Sequence, residues 1–435
     1  MVLKTVDLPF LGKKEQGKVR DIYTKDGEKI LITTDRISAF DRVLGFIPCK
    51  GQILNQLSQF WFEKTKSCIP NHMISVPDPN VMIGKLCRPI PIEIVVRGYI
   101  TGVTKTSLWY NYNLGKRFLY GYRFPDGLKK NQKLSEPILT PTTRATAVGG
   151  HDEPIDRQTI LDRKIIDARL YNLVEKTAIA LFKKGTQICE KAGLILVDTK
   201  YEFGLDNGKL TLIDEIHTPD SSRFWVKETY KERIEKGLEP ENFDKEFFRI
   251  WFVKQGYNGQ GTPPKLTEDF TRQVSRRYIK TYEMLTGKGL VKDNRPIADR
   301  IRQNLSRYYA NVVVICGSDK DKDHLKKIED KLKDLKLSTA TYIASAHKQP
   351  KKVLEILEFY NNRKVIFITV AGRSNALSGF VAANSTSPVI ACPPFKDKHD
   401  YLINIHSSLQ MPSNVPVLTV IDPGNAALAA KRIHG

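Results

Sequence analysis

The chain has 435 residues, of which 41% are apolar, and carries a formal net charge of +21. That length predicts about three ordinary domains or two larger ones, and the apolar content argues against disorder. The longest apolar runs, such as Val312 to Cys316, are too short to cross a bilayer, and the N-terminus lacks the apolar stretch of a signal peptide.

Through residues 1–90, short apolar runs such as Ile30-Leu31-Ile32 alternate with Gly and Pro, which predicts a mainly β lobe. It opens with Gly12 to Asp21, which holds two glycines and four cations. A glycine turn admits phosphate close to the backbone, and Lys18 supplies a point charge, although basic hairpins of this kind more often bind nothing. Thr34-Asp35-Arg36 is equally open, since an Asp-Arg pair often only fixes a loop. Further on, Arg97-Gly98-Tyr99 follows the strand Ile92 to Val96 and puts a guanidinium at a strand end, suited to phosphate or to a surface partner. His151-Asp152-Glu153 reads as a site loop or as the lead-in to a helix over 157–192 capped by Asp156. Thr267 caps a second helix over 268–285.

The segment Val197 to Trp225 carries the most chemistry. Asp198, Lys200 and Glu202 alternate, so they share one face of a strand. A three-residue loop, Asp206-Asn207-Gly208 with Gly208 left-handed, sets Lys200 opposite Asp214 and Glu202 opposite Leu212, so that all four charged groups project together. A two-residue Asn207-Gly208 loop shifts the register by one and turns Asp214 to the other face. Carboxylates converging beside a lysine suit a magnesium ion carrying nucleotide phosphates. A solvated charged hairpin is the commoner fate of such residues, but the next turn, His217 to Arg223, adds hydroxyl donors and a guanidinium.

Residues 287–309 are polar and read as a boundary. Beyond them VVVIC, ATYIA, VIFITV, PVIAC and PVLTVI alternate with amphipathic stretches, the pattern of a doubly wound α/β domain. Gly317-Ser318, Ser345 to Lys348 and Ala371 to Asn375 all fall at carboxyl ends of those strands, where such sheets bind ligands. Gly317-Ser318 makes a natural anion nest, and His347 is the histidine best placed for proton transfer. The six cysteines form no metal or CxxC spacing and fit reduced thiols in a cytoplasm. The lysines are dispersed, with few aromatics among them, which favours small polyanionic substrates over nucleic acid.

Taken together these strings resemble two enzyme families of de novo purine synthesis. GKVRDIY, TDRISAFD, PIEIVVRGYITG, LTPTTRA, HDEP, LVDTKYEFG and IDEIHTPDSSRFW are similar to phosphoribosylaminoimidazole-succinocarboxamide (SAICAR) synthetases. CGS…D, SAHK, AGRSN and PVIACPP are similar to phosphoribosylaminoimidazole (AIR) carboxylases of the animal type, which take CO2 directly.

The resemblance implies an α+β kinase/ATP-grasp-like synthetase domain over 1–290, with a β-rich lobe to about 90 and an α/β lobe after it. A linker over 291–310 would lead to an α/β three-layer, doubly wound parallel-sheet carboxylase domain over 311–435. It implies a carboxy-lyase that adds CO2 to aminoimidazole ribonucleotide, and an ATP-dependent carboxylate–amine ligase that joins L-aspartate to the product. ATP as substrate and Mg2+ are implied, biotin is not, and neither nucleic acid nor membrane is a partner. A cytoplasmic homo-octamer is the expected assembly. By the same resemblance Lys18, Arg20 and Glu93 would bind ATP, Glu202 and Asp214 would hold the metal, and Asp198 and Lys200 would line the reaction centre. Arg97, Ser107, Asp220, Ser222 and Arg223 would bind the ribonucleotide. In the carboxylase, Ser318, Asp321, Ser345 and Lys348 would hold the nucleotide, His347 would shuttle the proton, and Arg373 and Ser374 would serve the CO2 pocket. Three positions depart from the families' pattern: Val103 where a serine is common, Arg144 for a lysine, and Lys320 for the second serine of GSxSD. Lys320 motivates an alternative in which the C-terminal domain serves mainly oligomerisation.

Overall fold

In the computed structural model, which describes residues 2–103, 106–144, 153–361 and 363–435, the chain forms two units that divide after Ile301. The first opens with β1 (Glu15–Gln16), β2 (Arg20–Lys25) and β3 (Glu28–Thr33), followed by helix α1 (Lys50–Thr65), β4 (Met73–Asp78) and β5 (Val81–Lys85). The strands form one antiparallel sheet in the order β1-β2-β3-β5-β4. This is the expected β lobe, with one helix the sequence reading did not place. Helix α1 buries Ile53, Leu54, Leu57, Trp61 and Phe62 completely, a spacing of one helical face.

A second sheet is built from β6 (Arg88–Ile100), β7 (Gln132–Thr143), β8 (Leu194–Asp206), β9 (Lys209–Ile213) and β10 (Ser222–Val226). Its order is β7-β6-β8-β9, and β10 also pairs with β8. The helix expected over 157–192 is broken in two. Asp156 caps only Arg157–Asp162, accepting from the Thr159 amide at 2.7 Å, and Asp167 starts α2 (Ala168–Lys191) by accepting from Leu170 at 2.8 Å. Two capping carboxylates compete along one apolar pattern, and each satisfies its own set of unpaired amides. Then follow α3 (Glu246–Lys254) and α4 (Glu268–Thr286), the latter capped by Thr267 as expected and closed by a left-handed Gly287. One apolar core runs through both sheets of this unit.

The segment 291–310 is not a plain linker, for it holds α5 (Ile297–Tyr308). Arg300 of this helix is buried and donates to Asp78 at 2.9 and 3.1 Å and to Asn80 Oδ1 at 2.6 Å. A polar composition concealed an amphipathic helix whose cation has a buried partner.

The second unit contains β11 (Val312–Cys316), α6 (Lys322–Asp334), β12 (Thr339–Ile343), α7 (Pro350–Tyr360), β13 (Ile366–Val370), α8 (Ala376–Ala383), β14 (Val389–Ala391), α9 (Lys398–Leu409), β15 (Leu418–Thr419) and α10 (Pro423–His434). Five parallel strands run in the order β12-β11-β13-β14-β15. Val312, Val314 and Cys316 join one buried cluster, Val313 and Ile315 another, so both faces of the sheet are covered. That is the three-layer, doubly wound arrangement the continuous apolar runs predict. Among the described residues no helix is long and apolar enough to cross a membrane.

Candidate functional sites in the two units

In the first unit, β6 and β8 run antiparallel with Arg97 opposite Asp198 and Glu93 opposite Glu202. The even alternation of both strands gathers Glu93, Arg97, Asp198, Lys200 and Glu202 on one face. Lys200 lies 2.7 Å from Glu202 and 3.0 Å from Glu93. Burial works against its charge, but Glu202, Glu93 and Asp214 outweigh burial and raise its pKa, so the ammonium persists.

The hairpin between β8 and β9 takes the second of the two loop forms the sequence allows. Asp206 pairs with Lys209 and Glu202 with Ile213, so the loop is the two-residue Asn207-Gly208 turn. Both loop residues are left-handed, at φ 49° and 79°, as a twist-compatible hairpin turn requires. By register alone Asp214 then belongs to the opposite face. It reaches the charged face because β9 ends at Ile213 and Asp214 itself is left-handed, at φ 66°. Glu202 and Asp214 line one narrow cleft, with Lys29, His72, Lys85 and Arg144 around them.

Arg20, on β2, enters the same cluster. Its guanidinium bonds Asp214 and lies 3.1 Å from Glu215. Burial would raise the Asp214 carboxyl, but Arg20 first, then Lys200 and His72, hold it down at about 2. Lys18 is placed differently: it is exposed and pairs with Asp41 at 2.5 Å. Arg36 explains the local path, donating to the carbonyls of Gly17 and Lys18 and to Asp21. The Asp-Arg pair of the first lobe therefore fixes the glycine loop, and Asp35 accepts from the amides of Leu3 and Gly51.

Asp198 holds two guanidiniums on one carboxylate oxygen, with Arg97 and Arg223 each 3.1 Å away. Arg97 is further pinned by Thr140 Oγ1 at 2.8 Å. Ser107 is buried at the same place: a Cβ on Gly102, which is left-handed, would lie 2.9 Å from Ser107 Oγ and 3.2 Å from Arg223 Nη1. Val103 is exposed, and Arg144 reaches Glu202 at 3.5 Å. Asp220 and Ser222, expected beside the ribonucleotide, have their polar atoms committed inside the fold. Ser222 donates to Thr199 Oγ1 at 2.7 Å on the opposite face of the strand. Asp220 accepts from Tyr278 at 2.7 Å and pairs with Lys50 at 2.8 Å. Of the His-Asp-Glu motif, His151 and Asp152 lie outside the described residues, as does Thr104.

Glu202 and Asp214 are oxygen donors on one cleft, which fits a hard cation bound by one or two carboxylates plus phosphate oxygens. Among the described residues no cluster of three or more His, Cys, Asp or Glu forms an all-protein metal cage.

Sequence reasoning missed His72, Glu215, Lys50, Lys245 and Tyr278. Glu215 stands next to Asp214 and shares its Arg20 partner, a contact that strand alternation alone does not reveal. Lys245 lies 3.2 Å from Ser38 Oγ and 3.5 Å from Asp220, and burial lowers its pKa to about 8. No local pattern marks His72, whose partners are remote in sequence.

In the second unit one open basin of about 930 Å³ takes in Ser318, Asp321, Ser345, His347, Lys348, Arg373 and Ser374, every residue expected there. Lys320, Lys327, Lys396, His324 and Asn404 line it too. The loops after β11, β12 and β13 supply the seven, at the carboxyl edge of the parallel sheet. Ser318 Oγ accepts from the Lys320 amide and Ser345 Oγ from the Lys348 amide, so each hydroxyl closes its own turn. The Arg373 amide donates to Asn404 Oδ1 at 2.6 Å, which stabilises a left-handed arginine at φ 58°. His347, Lys348 and Arg373 are exposed to the basin.

Residues 13–265 match the family model described as SAICAR synthetase, and residues 311–435 the one described as AIR carboxylase. The chain is 49% identical to a phosphoribosylaminoimidazole-succinocarboxamide synthase of Legionella pneumophila over 311 residues, 70% of this chain and 98% of that protein. It is 48% identical to the chloroplastic enzyme of that name from Arabidopsis thaliana over 305 residues, 69% of this chain and 73% of that one. A solved SAICAR-synthase from Saccharomyces cerevisiae, complexed with SAICAR, is similar at 32% identity with a TM-score of 0.58, covering 67% of this chain and all of that one.

Proposed function

Because the chain belongs to the SAICAR synthetase family and joins to it an AIR carboxylase domain, we propose that two consecutive steps of purine biosynthesis run on the residues described above. The chain is a bifunctional enzyme, with a ligase in the first unit and a carboxy-lyase in the second. The arrangement that carries the synthetase assignment is the single charged face on which Glu93, Arg97, Asp198, Lys200 and Glu202 converge with Asp214.

In the ligase, Arg97 and Arg223 receive the ribonucleotide phosphate, since each is held by Asp198 with further donors left for an anion. The substrate carboxylate attacks the γ-phosphorus of ATP and ADP leaves. The aspartate amine then attacks the acyl carbon, phosphate departs, and the amine gives up a proton. Lys200, held by Glu202 and Glu93, serves as a positive charge for the phosphoryl oxygens. Glu202 and Asp214 would hold Mg2+, which when bound neutralises phosphate charge and orients the nucleotide. Arg20 stands beside them as the phosphate-loop cation, and Ser107 completes the ribonucleotide pocket in place of a serine at 103.

In the carboxylase, CO2 forms a bond to C4 of aminoimidazole ribonucleotide and the C4 proton leaves through His347. Gly317-Ser318, Asp321, Ser345 and Lys348 bind the nucleotide, with Arg373 and Ser374 beside the incoming CO2. No biotin enters this route. The carboxylase likeness supports a homo-octamer and the six free cysteines a cytoplasmic setting; sedimentation of the full chain tests the first.

The deciding experiment omits one substrate at a time. With aminoimidazole ribonucleotide, bicarbonate, ATP and L-aspartate the full chain makes the succinocarboxamide, and without ATP it stops at the carboxylated nucleotide. Folded protein that makes neither product refutes the assignment. If the C-terminal domain only drove assembly, His347→Ala would leave carboxylation as it was; loss of turnover in that variant rules the alternative out.

A further inference from the structure

Lys50 is a fully buried lysine, and the way the chain carries it is unusual. The residue before it, Cys49, is left-handed at φ 66° without being glycine. The residue after it is Gly51, where a Cβ would fall 2.3 Å from the Thr33 carbonyl oxygen and 2.8 Å from Asn80 Nδ2. Only glycine fits there, and its amide donates to Asp35 Oδ1 at 2.9 Å. Strained backbone of this kind persists where surrounding structure enforces it, and it clusters at functional sites. What the strain achieves is the aim of one ammonium.

Lys50 Nζ lies 2.8 Å from Asp220 Oδ2 and 6.0 Å from the centroid of the Tyr278 ring. The contact is an ion pair, and the ammonium finds no hydrogen-bond partner beyond that carboxylate among the described residues. A buried pair of this quality adds little to stability, and an apolar residue of the same size would serve the core as well. Asp220 meanwhile is held from two more sides, by the Tyr278 hydroxyl at 2.7 Å and by Lys245 at 3.5 Å. It sits on the turn that leads into β10, three residues before Arg223.

We propose that Lys50 is a positioning residue of the synthetase site: with Tyr278 and Lys245 it fixes the Asp220 carboxylate, and thereby the turn that presents Arg223 to the anionic ribonucleotide. The inference rests on the synthetase reading above.

The test uses the full chain, with ligation and carboxylation assayed separately. Lys50→Met is expected to keep its circular dichroism and its carboxylation rate. Its ligation kcat/KM falls on the order of 100-fold, chiefly through KM for the ribonucleotide, as expected of a misplaced binding group. Lys50→Arg, which keeps the charge, recovers at least about tenfold of that loss. Ligation by folded Lys50→Met within about twofold of wild type overturns the proposal, as does equal loss in Met and Arg variants. Should Lys50→Met fail to fold, Tyr278→Phe decides: removing one hydroxyl donor to a charged acceptor raises the ribonucleotide KM by about tenfold, and an unchanged KM overturns the proposal. Absence of ligation by wild type sinks the synthetase reading instead.

Discussion

Glu202 and Asp214 face one cleft although the hairpin that joins their strands pairs Glu202 with Ile213. The relationship depends on a single left-handed residue, since Asp214 at φ 66° leaves the strand and swings back over its partner. Non-glycine residues take that conformation at a cost, and an Asp tolerates it better than most.

Asp214→Asn keeps that backbone tolerance while removing the charge. Ligation is expected to fall on the order of 100-fold or more, with carboxylation unaltered, because the residue serves charge stabilisation in only one unit. Titration of the full chain with Mn2+, followed by the bound ion's spin-resonance signal in the presence of a non-hydrolysable nucleotide, should show weakened metal binding. Parallel loss of both activities would contradict two independent sites.

How far the sequence carried this site follows from the same two residues. Alternation of Asp198, Lys200 and Glu202 needs only the period of a strand, so their common face was legible. The fate of Asp214 was not, because local composition permits both a two- and a three-residue loop, and only the fold selects the two-residue form. The broken helix at Arg163–Asp167 and helix α5 share this cause: each depends on which of several capping or ion-pairing options the tertiary structure selects. The parallel-sheet unit was more legible. Its buried strands are continuous apolar runs, and the edge on which such a sheet binds ligands is fixed by topology.

Arg300 makes a concrete case for the first turn of α5 as part of the first unit. Its guanidinium is 2% exposed and bidentate on Asp78. Arg300→Ala takes the guanidinium away from that buried carboxylate, a loss of about 3–5 kcal/mol. Thermal melting should show the drop, and a first-unit fragment ending at 290 should melt well below one ending at 309. Equal melting of the two fragments would show that α5 adds nothing.

Two buried histidines contribute to the response to acid. Burial lowers His72 to about 4 and His217 to about 3, the latter bonded to the Tyr201 hydroxyl at 2.6 Å. Both are neutral in the fold and ordinary in the unfolded chain, so their contribution is complete above about pH 6.5 and is lost as pH falls toward 4 and then 3. At about 1.4 kcal/mol per pH unit, His72 alone gives about 3 kcal/mol. Urea midpoints measured from pH 7 to 4 should therefore decline steeply, and His217→Gln should flatten the slope. A flat profile in wild type would mean that neither imidazole is held neutral.

Asn404 offers the sharpest test of the second unit, because it touches the basin without supplying a reacting group. Its Oδ1 accepts from the Arg373 amide at 2.6 Å, and its Nδ2 donates to the Pro394 carbonyl at 2.6 Å. One side chain thus ties the loop after β13 to the loop after β14, and it does so under Gly372, where a Cβ would come within 3.0 Å of Nδ2. Asn404→Ala leaves a left-handed Arg373 without its anchor, at about 1–3 kcal/mol for the lost bonds. If that energy is what holds Arg373 and Ser374 over the basin, carboxylation drops about tenfold or more, while ligation continues at the wild-type rate. Asn404→Asp keeps the acceptor for the Arg373 amide and gives up the donor to Pro394, so it should retain more carboxylation than the alanine variant. Equal loss in the two variants would locate the essential contact at Pro394, whose donor both lack.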